Sequence, residues 1–339
     1  MAILVTGGAG YIGSHMVWDL LDAGEDVVVL DRLSTGHAWA VAPGARLVVG
    51  DIGDTSLVGS LIREEGIEAV LHFAGSVVVP DSVADPLGYY LNNTCKTRAL
   101  IEEAVAGGVC RFIFSSTAAV YGSPPADAPV SETVAPLPVT PYGKSKLMSE
   151  WMLQDTAAAH GLSYAILRYF NVAGCDPAGR TGQSTQGATH LLKVACEAAL
   201  GKRPYIEVFG TDYPTPDGSG IRDFIHVSDL VAAHRMALDA LRADGESMTV
   251  NCGYGHGYSV FEVLDSVQRV SRRKLDVRMG PRRKGDLASV IADTTQIRRK
   301  LAFTPALDDL DTIVATSLEW EARLDRMERQ PVARLRAIA

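Results

Sequence analysis

Apolar runs and helix-period segments alternate through the first half of the chain. Ala2–Thr6 reads as a strand. Ile12–Ala23 has helical spacing, with Gly24 placed as its C-terminal cap. Asp26–Leu30, Arg46–Val49, Ala69–Phe73, Arg111–Ser115 and Tyr164–Leu167 continue the series as further strands. Strands this apolar on both faces belong in a parallel sheet between two helix layers. The alternation therefore predicts an α/β fold with a doubly wound, Rossmann-like parallel sheet. The long helices expected in this half are Tyr89–Ala106 and Tyr142–His160. Between them, Ser123–Pro141 carries six prolines and reads as a loop over the site.

After Asn171 the regular alternation is lost, and glycine and proline become frequent through Cys175–Gly220. This predicts a nucleotide-binding domain over 1–171 and a smaller C-terminal α/β lobe over 172–339 that covers a substrate. Ile221–Val227 and Met248–Cys252 are strand-like and are candidates to return to the main sheet. The basic tail beyond Arg329 is expected to fray.

Composition narrows the function classes. The chain has 339 residues, 47% hydrophobic and 21% charged, ordinary for a soluble globular protein. A net charge of −8 argues against nucleic acid as a partner. No apolar run is long enough for a membrane helix, and the N-terminus reads as a strand rather than a signal peptide. The five cysteines include no Cys-x-x-Cys pair, and the eight histidines lack metal-ligand spacing. A reduced, cytoplasmic protein without a structural metal is expected.

Two groups of residues carry chemistry. Gly7, Gly10 and Gly13 follow a strand and open a helix, the context required of a dinucleotide-binding turn. Such a turn brings backbone N–H groups and a helix N-terminus onto a pyrophosphate, which places Tyr11 and Ile12 at the cofactor. Asp31 ends the second strand and is positioned to accept the adenosine ribose hydroxyls. A carboxylate there repels a 2′-phosphate and favours NAD over NADP, although neighbouring Arg32 can hold such a phosphate. Asp51 and Ile52 follow the third strand, where the adenine is expected. Phe73, Ala74 and Gly75 follow the fourth, where the cofactor passes close to the backbone.

Tyr142 and Lys146 stand one turn apart on a helix. A free phenol is a poor base at neutral pH. The Lys146 ammonium and an oxidised nicotinamide are both expected to lower it. Thr117, at the end of the strand through Phe114-Ser115-Ser116, is the candidate third member. The pattern suggests redox chemistry at a substrate hydroxyl, with a nicotinamide as hydride acceptor.

These motifs resemble the extended short-chain dehydrogenase/reductases, and more narrowly the UDP-glucose (UDP-galactose) 4-epimerases. The likeness runs over nearly the whole chain: GGAGYIGSH at 7–15, FSSTAAVYG at 114–122, PYGKSK at 141–146 and RYFN at 168–171. FGTDYPTPDGSGIRDFIHV at 209–227 and PRRKGD at 281–286 are specific to the epimerase-like group. The resemblance implies that Tyr142 takes the proton of the sugar 4′-hydroxyl while hydride passes to tightly held NAD. The 4-keto sugar then turns over and receives the hydride on its other face. It implies that Thr117 bonds the same hydroxyl, that Lys146 holds the nicotinamide ribose, and that Asn92 and Tyr169 lie at the cofactor. For a UDP-sugar it implies Asn171, His190 and Leu191 near the diphosphate or sugar, and Phe209 near the uracil. Arg222 and Arg283 fall on the phosphates, and Asp286 on the uridine ribose. His226 reads as structural. A homodimer joined through the two long helices is also implied.

The chain departs from the group at three places. Val77 stands where some members carry a lysine near the pyrophosphate. His190 replaces an asparagine. Val290 replaces a bulky tyrosine beside the sugar, which leaves room for N-acetylated sugars unless neighbours refill the space; pentose sugars remain open as well. Two rival readings stay in view. A nucleotide-sugar 4,6-dehydratase shares the cofactor site, but Ala118 and Ala119 stand where it needs an acid and a base. A non-catalytic NAD sensor would have no use for the Tyr142, Lys146 and Thr117 set.

Overall fold

The computed structural model describes residues 1–124, 128–283 and 285–329. Its centre is a seven-stranded sheet. In spatial order the strands are Met248–Cys252, Ser163–Tyr169, Arg111–Thr117, Ile67–His72, Ala2–Thr6, Val27–Asp31 and Arg46–Val49. Every neighbouring pair is parallel. The order reverses beside Ala2–Thr6, and a ligand crevice is expected there, outside the carboxyl ends of the strands.

The strands are buried because both faces are covered. On one face Thr55–Glu64 and Lys96–Ala106 pack over Leu4, Leu30, Val70 and Phe112. On the other, Tyr11–Asp22 and Val227–Ala243 pack over Ile3, Val29, Leu71 and Ile113. This second core runs on without a break into the C-terminal half, through Leu192, Val263 and Val314. Arg235 and Arg242 of the helix Val227–Ala243 pair with Asp19 and Glu25, fastening late chain to early chain.

Several elements differ from the expectation. Met248–Cys252 joins the sheet as an edge strand beside Ser163–Tyr169. Ile221–Val227 does not. It divides into Ile221–Arg222, paired with Tyr258–Ser259 and Ser289–Val290, and Phe224–His226, paired with Asn171–Ala173. Buried Asp223 separates the two pieces, its carboxylate accepting the N–H groups of Tyr254, Gly255 and Ala292. The helix expected over Tyr89–Ala106 is interrupted: an α-turn at Pro86–Tyr89 passes into a π-turn at Tyr90–Cys95 and then into Lys96–Ala106.

Of the proline-rich loop, 125–127 lie outside the described residues, as does the tail from 330 onward. The remainder of the loop is pinned rather than draped. Val130 exchanges backbone hydrogen bonds with Ile291 and Asp293, and its carbonyl accepts from the Asn251 amide at 2.7 Å.

Candidate active site

The glycine turn is shaped by close approach. Gly7 has φ +74°, and a Cβ on it would lie 2.6 Å from the Ala74 nitrogen. A Cβ on Gly13 would lie 2.1 Å from the Gly7 carbonyl oxygen. Gly10 caps the helix Tyr11–Asp22 with no side-chain partner and no acidic residue in the first turn. The first-turn N–H groups are thus left for an anion, which fits a pyrophosphate. Asp31 accepts the N–H of Ala9 at 3.0 Å and of Leu33 at 2.8 Å, tying the second strand end to the turn. Arg32 turns aside, its Nε donating to the Ser34 hydroxyl and its Nη1 lying 3.5 Å from Asp51. Burial works to raise the Asp51 carboxyl, but Lys96 and the Gly53 N–H hold it below its usual range. Ile52 is buried beside it. The Tyr11 hydroxyl donates to the Gly174 carbonyl at 2.5 Å, so its side chain clasps the two halves of the chain. Val77 is 47% exposed.

The expected catalytic trio converges at the carboxyl end of Arg111–Thr117. Thr140 caps the helix Pro141–His160, accepting the Gly143 N–H, and fixes where Tyr142 enters. Tyr142 and Lys146 are 6% and 4% exposed. The Thr117 hydroxyl lies within hydrogen-bonding reach of the Tyr142 phenol. Lys146 Nζ donates to the Ser115 carbonyl at 3.0 Å and lies 4.7 Å above the Phe114 ring. A Cβ on Gly75 would stand 3.7 Å from Lys146 Nζ and 3.1 Å from Asn93 Oδ1, which puts the Phe73–Gly75 segment beside the trio. Tyr169 stands opposite Thr117 in register.

One electrostatic expectation fails. In the polypeptide alone the Tyr142 phenol is not lowered by Lys146. Burial pushes it well above its ordinary value, Tyr169 and Tyr89 push the same way, and only the Thr117 hydrogen bond opposes. Burial brings Lys146 down to about 8, with Glu150 pulling it back up. The physical reason is desolvation: a phenolate excluded from water needs more positive charge nearby than Lys146, turned to Ser115, provides.

Sequence reasoning missed Asn93. Asn92 donates to the Ser76 hydroxyl at 2.9 Å. Buried Asn93 accepts the Ser76 N–H at 2.8 Å and donates to the Ser76 carbonyl and the Ser145 hydroxyl, locking the Gly75-Ser76 segment to the Tyr142 helix. Its signal was position: Asn93 lies four residues from buried Tyr89 and from buried Thr97, on the inward face. Glu150, at the same spacing beyond Lys146, was missed for the same reason.

The expected substrate residues form two groups. Asn171, His190 and Leu191 line one pocket, with Gln183, Lys193 and Trp320. Burial lowers His190, whose Nδ1 lies 3.1 Å from Gln183 Nε2. In the second group Arg283 lies 4.8 Å over the Phe209 ring and donates to Asp286 at 2.9 Å. Arg222 is lowered by burial, within the field of Asp286, Tyr213 and Arg283, and makes no ion pair among the described residues. Val290 stands opposite Arg222 in register. His226 is fully buried, accepting the Ser228 N–H and meeting Thr316, as a structural histidine would.

Known proteins resemble this chain over nearly its whole length. The model of the NAD dependent epimerase/dehydratase family matches residues 3–253. A UDP-glucose 4-epimerase of Azospirillum brasilense is 52% identical over 96% of this chain and 93% of its own. The structure of a UDP-glucose 4-epimerase from Brucella ovis in complex with NAD superposes with TM-score 0.91 at 42% identity, covering 94% of this chain and 97% of that one. The UDP-Glc/GlcNAc 4-epimerase of Campylobacter jejuni superposes with TM-score 0.84 at 44% identity, covering 95% and 99%.

Proposed function

The chain belongs to the NAD-dependent epimerase/dehydratase family, and on that footing we propose that it interconverts UDP-glucose and UDP-galactose by inverting carbon 4. The observation that carries the reading is the buried contact of Tyr142 with Thr117, beside Lys146 and the Gly75 segment. That contact can share one proton with a sugar hydroxyl and exclude water from it.

Each residue then has a task. Thr117 orients the 4′-hydroxyl and passes its hydrogen bond to Tyr142. Tyr142 accepts the proton as the hydroxyl becomes a carbonyl and returns it when the alcohol re-forms. Lys146 supports the developing phenolate and reaches the nicotinamide ribose. Bound NAD supplies the hydride acceptor and donor, and its oxidised ring adds the positive charge that brings the Tyr142 phenol down. Asp31, Asp51, the Gly7–Gly13 turn and Asn92 hold that cofactor. Arg222 and Arg283 clamp the diphosphate, Phe209 packs on the uracil, and Asp286 takes the ribose hydroxyls. Asn171, His190 and Leu191 bound the pocket from the other side.

Ala118 and Ala119 form a short 3₁₀ turn after Thr117 and bring no acid or base, which disfavours elimination of water from the sugar. Reduced thiols fit a cytoplasmic protein, all five cysteines being unpaired. Among the described residues no helix is long and apolar enough to cross a membrane. A homodimer is favoured by the apolar residues left on the outer faces of adjacent helices: Leu87, Leu91, Met148 and Trp151 are all exposed.

The test is incubation of the purified protein with UDP-galactose and no added cofactor. Formation of UDP-glucose, together with NAD released on denaturation, supports the reading. Absence of any epimer from protein that retains NAD overturns it in favour of a sensor.

A further inference from the structure

Behind Thr117 lies a buried ion pair that the reaction as described does not use. Glu150 is 0% and Arg168 5% exposed. Arg168 Nε reaches the two Glu150 oxygens at 3.1 and 3.2 Å, and its Nη2 reaches Oε2 at 2.6 Å. The Ser116 hydroxyl donates to Glu150 Oε1. Arg168 Nη1 also donates to the Tyr121 hydroxyl at 3.0 Å, which donates to Asn251 at 2.6 Å. Buried polar groups this fully satisfied hold one geometry.

The placement relative to the trio is specific. Glu150 lies one turn beyond Lys146 and two beyond Tyr142, on the same inward helix face. Lys146 holds the carbonyl of Ser115 and Glu150 the hydroxyl of Ser116, and the next residue is Thr117. One helix thus grips two successive residues of the strand end and presents Tyr142 to the third.

We propose that Glu150, clamped by Arg168, is a positioning residue for the epimerisation: it fixes the strand end that carries Thr117 and supplies the buried counter-charge for Lys146. The inference rests on the epimerase reading above. Lys146 makes no ion pair among the described residues. Glu150 from its own helix and His72 from Ile67–His72 act on it directly; Tyr169 acts on Tyr142, and Arg168 on Glu150, from Ser163–Tyr169. His72 is kept neutral by burial and by the ammonium itself. Glu150 is the carboxylate that pulls Lys146 back up against burial.

Glu150→Gln keeps the side-chain size and removes the charge. Turnover of UDP-galactose is followed from about pH 6 to 9.5, with KM and NAD content measured alongside. Lys146 then loses its proton sooner, so the alkaline limb of kcat moves toward acid by about one pH unit, roughly tenfold lower turnover on that limb. KM changes by less than about twofold, because Glu150 does not touch substrate. Glu150→Asp restores the limb. A uniform fall in kcat with the limb unmoved means a merely structural role and overturns the proposal. Removing one partner of a buried pair endangers folding. The double variant Glu150→Leu with Arg168→Met therefore repeats the measurement with both charges removed; a displacement in the same direction, smaller because the Arg168 cation goes too, supports the proposal and an unmoved limb overturns it. Wild-type protein that forms no epimer overturns the epimerase reading itself. An active wild type with an unmoved limb in a folded variant overturns this inference alone.

Discussion

Val290 stands directly across from Arg222 in the parallel pairing of Ser289–Val290 with Ile221–Arg222. The side chain proposed to limit the sugar end is therefore on a strand locked to the one that carries an arginine proposed to bind the diphosphate. Val290 is half-buried, and its strand is braced by Val130 through Ile291. On the proposed reading, a small residue here leaves room beside carbon 2 of the sugar. UDP-N-acetylglucosamine is expected to be epimerised alongside UDP-glucose. Val290→Tyr is expected to lower the first activity at least about tenfold relative to the second, the scale on which pocket size discriminates. Parallel assays of both sugars check this. Wild-type turnover confined to UDP-glucose would mean that neighbouring side chains refill the space.

Loss of the Tyr142 hydroxyl removes the group proposed to take the proton. Tyr142→Phe is expected to retain fold and NAD and to lose about 10²–10⁴-fold in kcat, the usual worth of a positioned base. Because burial raises this phenol, the wild-type rate should climb with pH along its acid limb. Initial rates of both proteins across that range decide it; a phenylalanine variant within tenfold of wild type removes Tyr142 from the chemistry.

How much of this was readable beforehand follows from burial. The sheet strands declare themselves because they are apolar on both faces. The helix Pro141–His160 inverts the usual rule. Its inward face holds Tyr142, Ser145, Lys146, Ser149 and Glu150, while Met148 and Trp151 look outward. Hydrophobic periodicity does not mark that inward face; the Tyr142 and Lys146 spacing does, and Glu150 carries no such signal. Asn93 hides for a related reason: the π-turn at Tyr90–Cys95 breaks the regular helix in which it would be placed. Spacing along the chain likewise suggested that Lys146 lowers Tyr142. Only the folded geometry reveals that the ammonium is turned to Ser115.

The glycine turn offers a test independent of turnover. A methyl group at Gly13 would meet the Gly7 carbonyl oxygen at 2.1 Å, with both atoms on backbone and no flexible side chain to yield. Gly13→Ala is expected to lose bound NAD as purified, and to bind added NAD at least about a hundredfold more weakly, since the turn must open to accept the Cβ. Cofactor content after denaturation and titration of the apoprotein measure both. Wild-type retention by the alanine variant contradicts a pyrophosphate seat at this turn.

Four buried histidines make the fold acid-sensitive; His72 is held well below its usual range, and the other three define the window. His15, His226 and His234 are each held down to about 4 from 6.5, chiefly by burial. Above about pH 6.5 they are neutral in folded and unfolded chains alike. As pH falls from 6.5 toward 4, the unfolded chain takes up protons that the folded one refuses, so stability is lost in that window. The slope approaches three protons, roughly 4 kcal/mol per pH unit at its steepest from these groups. The thermal midpoint is expected to be level between about pH 6.5 and 7.5, below the range in which Lys146 titrates, and to fall steeply between pH 6.5 and 5. A midpoint that holds constant over that interval contradicts the assignment of neutral buried rings.

The outward apolar residues of the Tyr142 helix have a consequence for assembly. Trp151 is 53% exposed, and on neighbouring elements Leu87 is 78% and Leu91 57% exposed. Apolar groups clustered on packed helices mark an interface more often than they mark free surface. A second copy of the chain is the fitting occupant, because two such faces are self-complementary about a two-fold axis. Light scattering at micromolar concentration is expected to give the mass of two chains. The double substitution Leu91→Glu with Trp151→Glu places four carboxylates in the joint of a dimer and should give the mass of one. The two altered side chains point away from Tyr142 and Lys146, so the monomer is expected to keep NAD and measurable epimerisation. A wild-type mass of one chain, or a variant that still sediments as two, removes this face from the assembly. The face that carries Met148 and Trp151 outward, proposed as the dimer joint, is the reverse of the face that carries Tyr142, Lys146 and Glu150 inward. Burying the first therefore stiffens the helix on which the second depends, and the monomeric variant is expected to lose thermal stability before it loses the reaction.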